Sequence, residues 1–527
     1  MKKLSIALSV LMIAVMLLTL VGCNRPQEPD SLVVYNWADY IYDYEDDFKD
    51  YYKSITGKDI EITYVTFDTN ETMLTKITKG DSNVDVVCPS EYAIQKLIEM
   101  DYLVPLNYFD ETKYTQNITT TGYTHYADNV DANVVEKIQA TFGDINGKNM
   151  LDYMVPYMYG TLGILYNKYQ FMELGIYDQD IMNEANWGIL FNDNGNGQLL
   201  HQDLTGQILM KDSIRDTYAV TIFYLLETGK LDGLRDENGN LYTDMTANQL
   251  INCVDDQLLE VVKETLTEQK QQLFGYEVDF GKDDLLKGNA MVDLAWSGDA
   301  LYAVEESWSD NLGTEGDYEL SYYVPSGAGN IWFDGWVIPK TYNPEHAEAI
   351  KLFINFLNSP TSAAANMMEI GYTSAVAPDK ILANNDAKSI LAEVYCVNAP
   401  EYLDQATLDA IESDGGFDYD CWADFEEEFF FYCDEIDGTN WRYPLESDFA
   451  NALNRSAATF GVMRDFGAKN KDVVTMWNYV RSAGVNALPM FLWAMLAVAV
   501  VVGGAYFVHY LVERSRYYQV VETKDKK

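Results

Sequence analysis

The sequence predicts an α/β protein with a parallel sheet, long enough for two domains, with an apolar segment at each end. Three observations predict it. Strand-like and helix-like stretches alternate through the first hundred residues, which implies βαβ units. The two terminal segments leave about 460 residues between them, enough for two substantial cores. The run from Ala487 to Val508 carries no charged residue, and about 20 apolar residues suffice to cross the hydrocarbon layer as a helix.

Taken in order, Leu32 to Trp37 reads as a buried strand, and residues 44–55 place Phe48, Tyr51, Tyr52 and Ile55 at helical spacing. Residues 60–67 read as a second strand. Asp68, with Glu71 three residues on, predicts the cap of a helix over 71–78. Residues 84–88 read as a third strand and 91–100 as a helix. Ligands of such sheets bind beyond the carboxyl ends of the strands, which points to Trp37 to Tyr40 and Pro89 to Tyr92. Residues 117–149 read as polar and loop-rich, and 155–167 as a strand leading into a second domain. Asn192 to Gly197, with Asp203 at the twelfth position, resembles a calcium loop, but it opens with Asn and ends in Asp. It is therefore read as a turn. Residues 346–357 form an amphipathic pattern with Ile350, Phe353, Ile354 and Leu357 on one face.

The ends predict the compartment. Lys2 and Lys3 precede an uncharged stretch to Val21, followed by Gly22 and Cys23. This pattern resembles a bacterial lipoprotein signal over 1–22; Cys23 would carry the lipid and 23–30 serve as linker. At the other end, Trp493 and Tyr506 are spaced as interfacial aromatics, and a basic excess beyond Glu513 suits a cytoplasmic tail over 509–527. The expectation is a body on the extracytoplasmic face of the cell membrane, held by lipid on Cys23 and by a single transmembrane helix over 487–508.

Composition narrows the partners. Acidic residues number 82 against 36 basic, a net charge of −46. Nucleic acid is excluded as an expected partner, since phosphates need a basic surface; a negative surface instead concentrates cations. The five cysteines after Cys23 show no CxxC spacing, and Cys421 with Cys433 is one disulfide the compartment would permit. His125, His201, His346 and His509 are far apart in sequence, so no metal site is expected. No P-loop, HExxH or Ser-His-Asp set appears, and neither cofactor nor catalytic residue is predicted.

Eight motifs in one order resemble the spermidine/putrescine-binding proteins of bacterial polyamine ABC transporters. They begin with Tyr35-Asn36-Trp37-Ala38-Asp39-Tyr40, Asn70-Glu71-Thr72-Met73, Asp85-Val86-Val87-Cys88-Pro89-Ser90 and Val155 to Thr161. Asp212-Ser213-Ile214-Arg215-Asp216, Ala295 to Ala300, Trp332-Phe333-Asp334, and Phe353 to Leu357 before Ile370-Gly371-Tyr372 complete them. The resemblance implies the two-lobed periplasmic-binding-protein fold with crossing hinge strands: lobe 1 from 31–155 and 336–395, lobe 2 from 156–335 and 396–485. It implies a polyamine, putrescine or spermidine, clamped between the lobes, and ABC permease subunits as partners. A polyamine needs carboxylates for its ammonium groups and aromatic faces for its methylenes.

The resemblance also assigns the site. Trp37, Asp39 and Tyr40 match one wall, and Ser90 and Tyr92 the next loop. Asp216 stands where the family has Glu, Asp212 and Ser213 are ambiguous by one residue, and Arg215 is expected to orient the nearby carboxylates. Trp296 matches a stacking tryptophan and Asp299 an acid of the putrescine-selective type; Trp332, Asp334 and Tyr372 complete the set. The family's polar residue near its C-terminus has no match here. Beyond residue 395 the chain departs from the family, with an acidic, aromatic segment over 414–443, and rejoins it near Met463 and Trp477. Three other readings stay open: a membrane-anchored amine sensor, an extracellular enzyme, and a binding protein of the same fold for another solute.

Overall fold

The computed structural model describes residues 29–80, 83–106, 128–176, 187–194, 198–309, 320–325, 327–387, 390, 433–436, 439–442 and 460–483. The chain divides at Val474/Thr475 into two units. The second is described over 475–483, helical to Ser482.

The first βαβ units form as their periodicity requires. β1 (Asp30–Trp37) lies between β2 (Ile60–Phe67) and β3 (Val86–Val87) in a parallel sheet of order β2-β1-β3. α1 (Glu45–Thr56) carries three acids in its first turn and Lys53 in its last, complementing the helix dipole. It ends at Gly57, whose φ of 73° is the left-handed conformation that glycine adopts without strain. Phe48 and Tyr52 face inward. α2 (Asn70–Thr78) and α3 (Glu91–Glu99) follow β2 and β3. The cap of α2 differs from expectation: Thr69, in extended conformation, accepts from the Thr72 N–H, which leaves Asp68 free to face elsewhere. The third strand is two residues long, shorter than the apolar run: Val86 and Val87 pair with β1, and the flanking Asp85 and Cys88 donate their N–H groups to Val33 O and Tyr35 O.

Residues 132–142, expected to be loop, form a helix capped by Asp131 with Val134, Ile138 and Phe142 buried. Its 3.6-residue apolar spacing is hidden in a polar stretch. β4 (Val155–Asn167) is buried along its whole length. Pro156 sits at a register shift in it, the place where a residue lacking an N–H does least harm to a ladder.

The larger sheet has the order β11-β9-β4-β7-β5-β6, made of β5 (Ile208–Lys211), β6 (Leu273–Glu277), β7 (Val292–Trp296), β9 (Gly329–Trp336) and β11 (Phe460–Gly461) around β4, with β8 (Leu320–Tyr323) and β10 (Thr373–Ser374) also paired to β4. β5 runs parallel to β6 and β7, whereas β9 is antiparallel to β4. Beyond Trp336 the chain leaves this sheet: Val337 bridges Val87 and Pro339 bridges Leu103. β9 thereby links the two sheets. The helix Ala347–Leu357 presents the predicted face, and Phe353 and Phe356 meet Phe48 at 5.3 and 5.4 Å between ring centroids.

In the calcium-like loop, the Asp193 carboxylate accepts from the Tyr224 hydroxyl and lies 3.6 Å from Lys230 Nζ; residues 195–197 are outside the described residues. So are Cys23, Cys421 and residues 487–508. Among the described residues no helix is long and apolar enough to cross a membrane.

Candidate ligand-binding cleft

The carboxyl ends of both sheets open on one cleft, which encloses about 880 Å³ of space including part open to solvent. From the first sheet, the turn after β1 supplies Trp37, Asp39 and Tyr40, the turn after β2 supplies Asp68 and Glu71, and the turn after β3 supplies Ser90, Glu91 and Tyr92. From the second, β5 ends at Lys211 and leads to Ser213 and Asp216. β6 ends at Glu277 and leads to Asp279 and Lys282, and β7 ends at Trp296, followed by Asp299. Trp332 and Asp334 come from the strand that links the sheets, and Tyr372 from the turn before β10. Opposed carboxyl ends of parallel strands are where α/β sheets hold ligands.

Twelve of the thirteen residues assigned by resemblance line this cleft. Asp212 does not: its N–H donates to Glu277 O at 2.6 Å, holding the residue in the β5–β6 ladder edge. Ser213 caps the helix Ile214–Glu227 and lines the cleft. Arg215 does not sit on a carboxylate. Its guanidinium donates to Asn252 Oδ1 at 2.9 Å and stacks 3.7 Å from the Phe466 ring centroid. From the last part of the chain, Met463 reaches the cleft.

Nine carboxylates and two lysines line the cleft, and they are unevenly distributed. At one side, Asp334, Glu91 and Asp216 are buried. Burial pushes the Asp334 carboxyl up to about 7, with the Ser90 and Tyr40 side chains opposing the shift. Burial likewise pushes Glu91 to about 8, although the Phe333 N–H donates to it at 2.9 Å. Burial raises Asp216 to about 6 against the help of Ser213 and Lys211. Asp334 Oδ1, Glu91 Oε1 and the indole nitrogens of Trp37 and Trp332 meet no hydrogen-bond partner among the described residues. Desolvated carboxyls converging on a cavity mark a place where a cation would lower the energy.

The other side carries its own cations. Lys211 is bonded to Glu277, lies 4.0 Å from Asp293 and sits 4.4 Å from the Trp296 ring centroid. Burial works against the Lys211 charge, yet Glu277, Asp293 and Asp299 hold its pKa above the ordinary lysine range. Asp293 is pushed far up by burial and by Glu277, with Lys211 opposing the shift. Lys282 Nζ meets Asp299 Oδ1 at 3.0 Å.

Aromatic rings close the frame. Tyr372 meets Tyr40 edge-on at 4.9 Å and Trp332 at 5.6 Å between centroids. Gly298 permits this packing, since a Cβ there would lie 2.2 Å from the Tyr372 ring. Asp39, at the exposed lip, has a φ of 46°, a region Asp tolerates better than most residues.

Sequence reasoning missed Glu71, Glu91, Lys211, Glu277, Asp279 and Lys282. A signal existed for Lys211: Ile208-Leu209-Met210 is a short apolar run followed by Ser213 as a helix cap, a strand-to-helix junction like the ones read near the N-terminus. β6 carries no comparable alternation, and three of its five residues are only partly buried.

Residues 45–386 match the family model of bacterial extracellular solute-binding proteins. The chain is 24% identical over 347 residues to the putrescine-binding periplasmic protein SpuD of Pseudomonas aeruginosa, covering 65% of this chain and 78% of that protein. It is 22% identical over 400 residues to the putrescine/agmatine-binding protein of the same species, covering 75% and 91%. Among solved structures, a putative spermidine/putrescine ABC transporter protein from Listeria monocytogenes superimposes with a TM-score of 0.51 at 23% identity, covering 86% of this chain and 97% of that one. The TpPotD lipoprotein of Treponema pallidum gives 0.52 at 16%, covering 86% and 99%. These likenesses show the two-lobed α/β fold of periplasmic binding proteins. With its family model spanning well over half of the sequence, this chain belongs to the bacterial extracellular solute-binding proteins.

Proposed function

We propose that this protein captures a polyamine, putrescine or spermidine, in the cleft between its two lobes and delivers it to the permease subunits of an ABC importer. The observation that carries the reading is the group formed by Asp334, Glu91 and Asp216: three buried carboxyls, walled by Trp332 and Tyr40, that form no ion pair with a lysine of the cleft, the two lysines being paired elsewhere. An ammonium would complete those carboxyls, and the rings would cover the methylenes. The names of the relatives, putrescine-binding and putrescine/agmatine-binding, support the same ligand class. The reading is capture without chemistry.

The lobe boundaries at 155/156 and 335/336 fall where β4 and β9 pair, and we take those strands as the hinge. Lipid on Cys23 and a helix over 487–508 would hold the body at the extracytoplasmic face of the membrane, near its permease. Calorimetric titration of the full chain with putrescine, spermidine, spermine and cadaverine tests the ligand class. Heat from at least one amine is expected; heat from another solute class alone would reject it.

A further inference from the structure

The acid that would distinguish a diamine site, Asp299, is already occupied by a cation of the chain. Lys282 Nζ lies 3.0 Å from Asp299 Oδ1, and the two side chains are only 17% and 13% exposed. The charge of Asp39 acts on the same ammonium, and the Tyr302 ring lies 5.6 Å away. Lys211 covers one face of the neighbouring Trp296. On this side of the cleft both lysines are thus paired before any ligand arrives, whereas neither forms an ion pair with Asp334, Glu91 or Asp216; Asp279, beside them, is raised to about 6 by burial and by Asp299.

We infer that Lys282 is a built-in ammonium that fills the Asp299 subsite and thereby sets how many cationic centres the ligand can bring, favouring a diamine over a triamine. The inference rests on the polyamine reading of the cleft. A ligand ammonium arriving at Asp299 would have to share it with Lys282 against like-charge repulsion, or expel Lys282 and leave a lysine without its partner. The backbone that carries Lys282 is held in place. Lys282 follows Gly281, whose N–H donates to Glu277 Oε2 at 2.8 Å, and a Cβ at 281 would lie 2.3 Å from Asp293 Oδ2. The start of this helix is therefore pinned against the buried Lys211–Glu277–Asp293 group. The ligand's charges are then directed to the lining carboxylates that pair with no lysine, Asp334, Glu91 and Asp216 among them, with Asp39 at the lip.

The experiment measures the ratio of putrescine to spermidine affinity by calorimetry on the full chain, as wild type, Lys282→Met, Lys282→Arg, and Lys282→Met combined with Asp299→Asn. Lys282→Met exposes an acid that seeks a cation, so spermidine should gain on putrescine by about tenfold or more. Lys282→Arg keeps a cation there and should hold the wild-type ratio. Adding Asp299→Asn removes the acid again and should return the ratio to within about threefold of wild type. Lys282→Gln carries the same test if the methionine variant does not fold. An unchanged ratio in the folded methionine or glutamine variant, or a shift that survives Asp299→Asn, overturns the inference and leaves the polyamine reading standing. Amine binding by Lys282→Met alone, with none by wild type, overturns both the inference and the polyamine reading. Binding of neither amine by any of these proteins overturns both.

Discussion

Ser90 and Asp334 pair as an antiparallel bridge, Ser90 from the turn after β3 and Asp334 from the middle of β9. The carboxylate that faces the cleft is therefore tied to both sheets at once, and Gly335 reinforces the link by donating its N–H to Pro89 O at 3.2 Å. A cation held by Asp334 would touch the strand that links the two sheets.

Asp334→Asn should weaken amine binding by more than about tenfold, because losing one partner of a desolvated charge pair costs roughly 2–5 kcal/mol. The ligand-free protein should melt no lower than wild type at neutral pH, since a neutral amide replaces a carboxyl that burial disfavours as an anion. Titration calorimetry and thermal melts read the two effects separately. Wild-type affinity in a folded variant would remove Asp334 from the site.

Stability without ligand should fall as pH rises. Asp216, Asp334 and Glu91 have folded-state values raised to about 6, 7 and 8. Each keeps a proton that the unfolded chain has already lost, so its contribution is fully present below the ordinary carboxylate range and is lost as pH passes the folded value. Melting temperature should therefore decline between about pH 4 and pH 8, while the upward shift produced by putrescine grows over the same interval. A ligand-induced shift that is flat with pH would mean that these carboxyls do not meet the amine.

Lys211→Met should destabilise the protein by about 3–5 kcal/mol, because it strands Glu277 beside Asp293 in a fully buried setting. Adding Glu277→Gln should recover part of the loss, since the amide removes one of the two stranded acids. Denaturant melts of the single and double variants check this; a single variant as stable as wild type contradicts the buried ion pair.

Gly298→Ala places a methyl 2.2 Å from the Tyr372 ring. Overpacking of this kind costs about 1–3 kcal/mol. Because Tyr372 leans on Tyr40 and Trp332, amine affinity should drop together with the melting temperature. A stability loss with unaltered affinity would show that Tyr372 supports the fold alone.

The sequence by itself determined the local elements and the order of the motifs. The 3.6-residue spacing of α1 and the apolar runs of β2 and β4 are written in consecutive side chains, and backbone geometry turns them into a helix and strands with little help from elsewhere. The acids and aromatics assigned by resemblance were legible for the same reason: their motifs are contiguous. What only the tertiary structure decided involves partners far apart in the chain. Burial, not composition, raised Asp334 and Glu91. Helix-cap geometry put Ser213 in the cleft and kept Asp212 out. The meeting of Lys282 with Asp299 depended on two helix starts, one after β6 and one after β7, converging on the same end of a sheet. Residue spacing carries no record of that convergence, because it is fixed by how the strands pair.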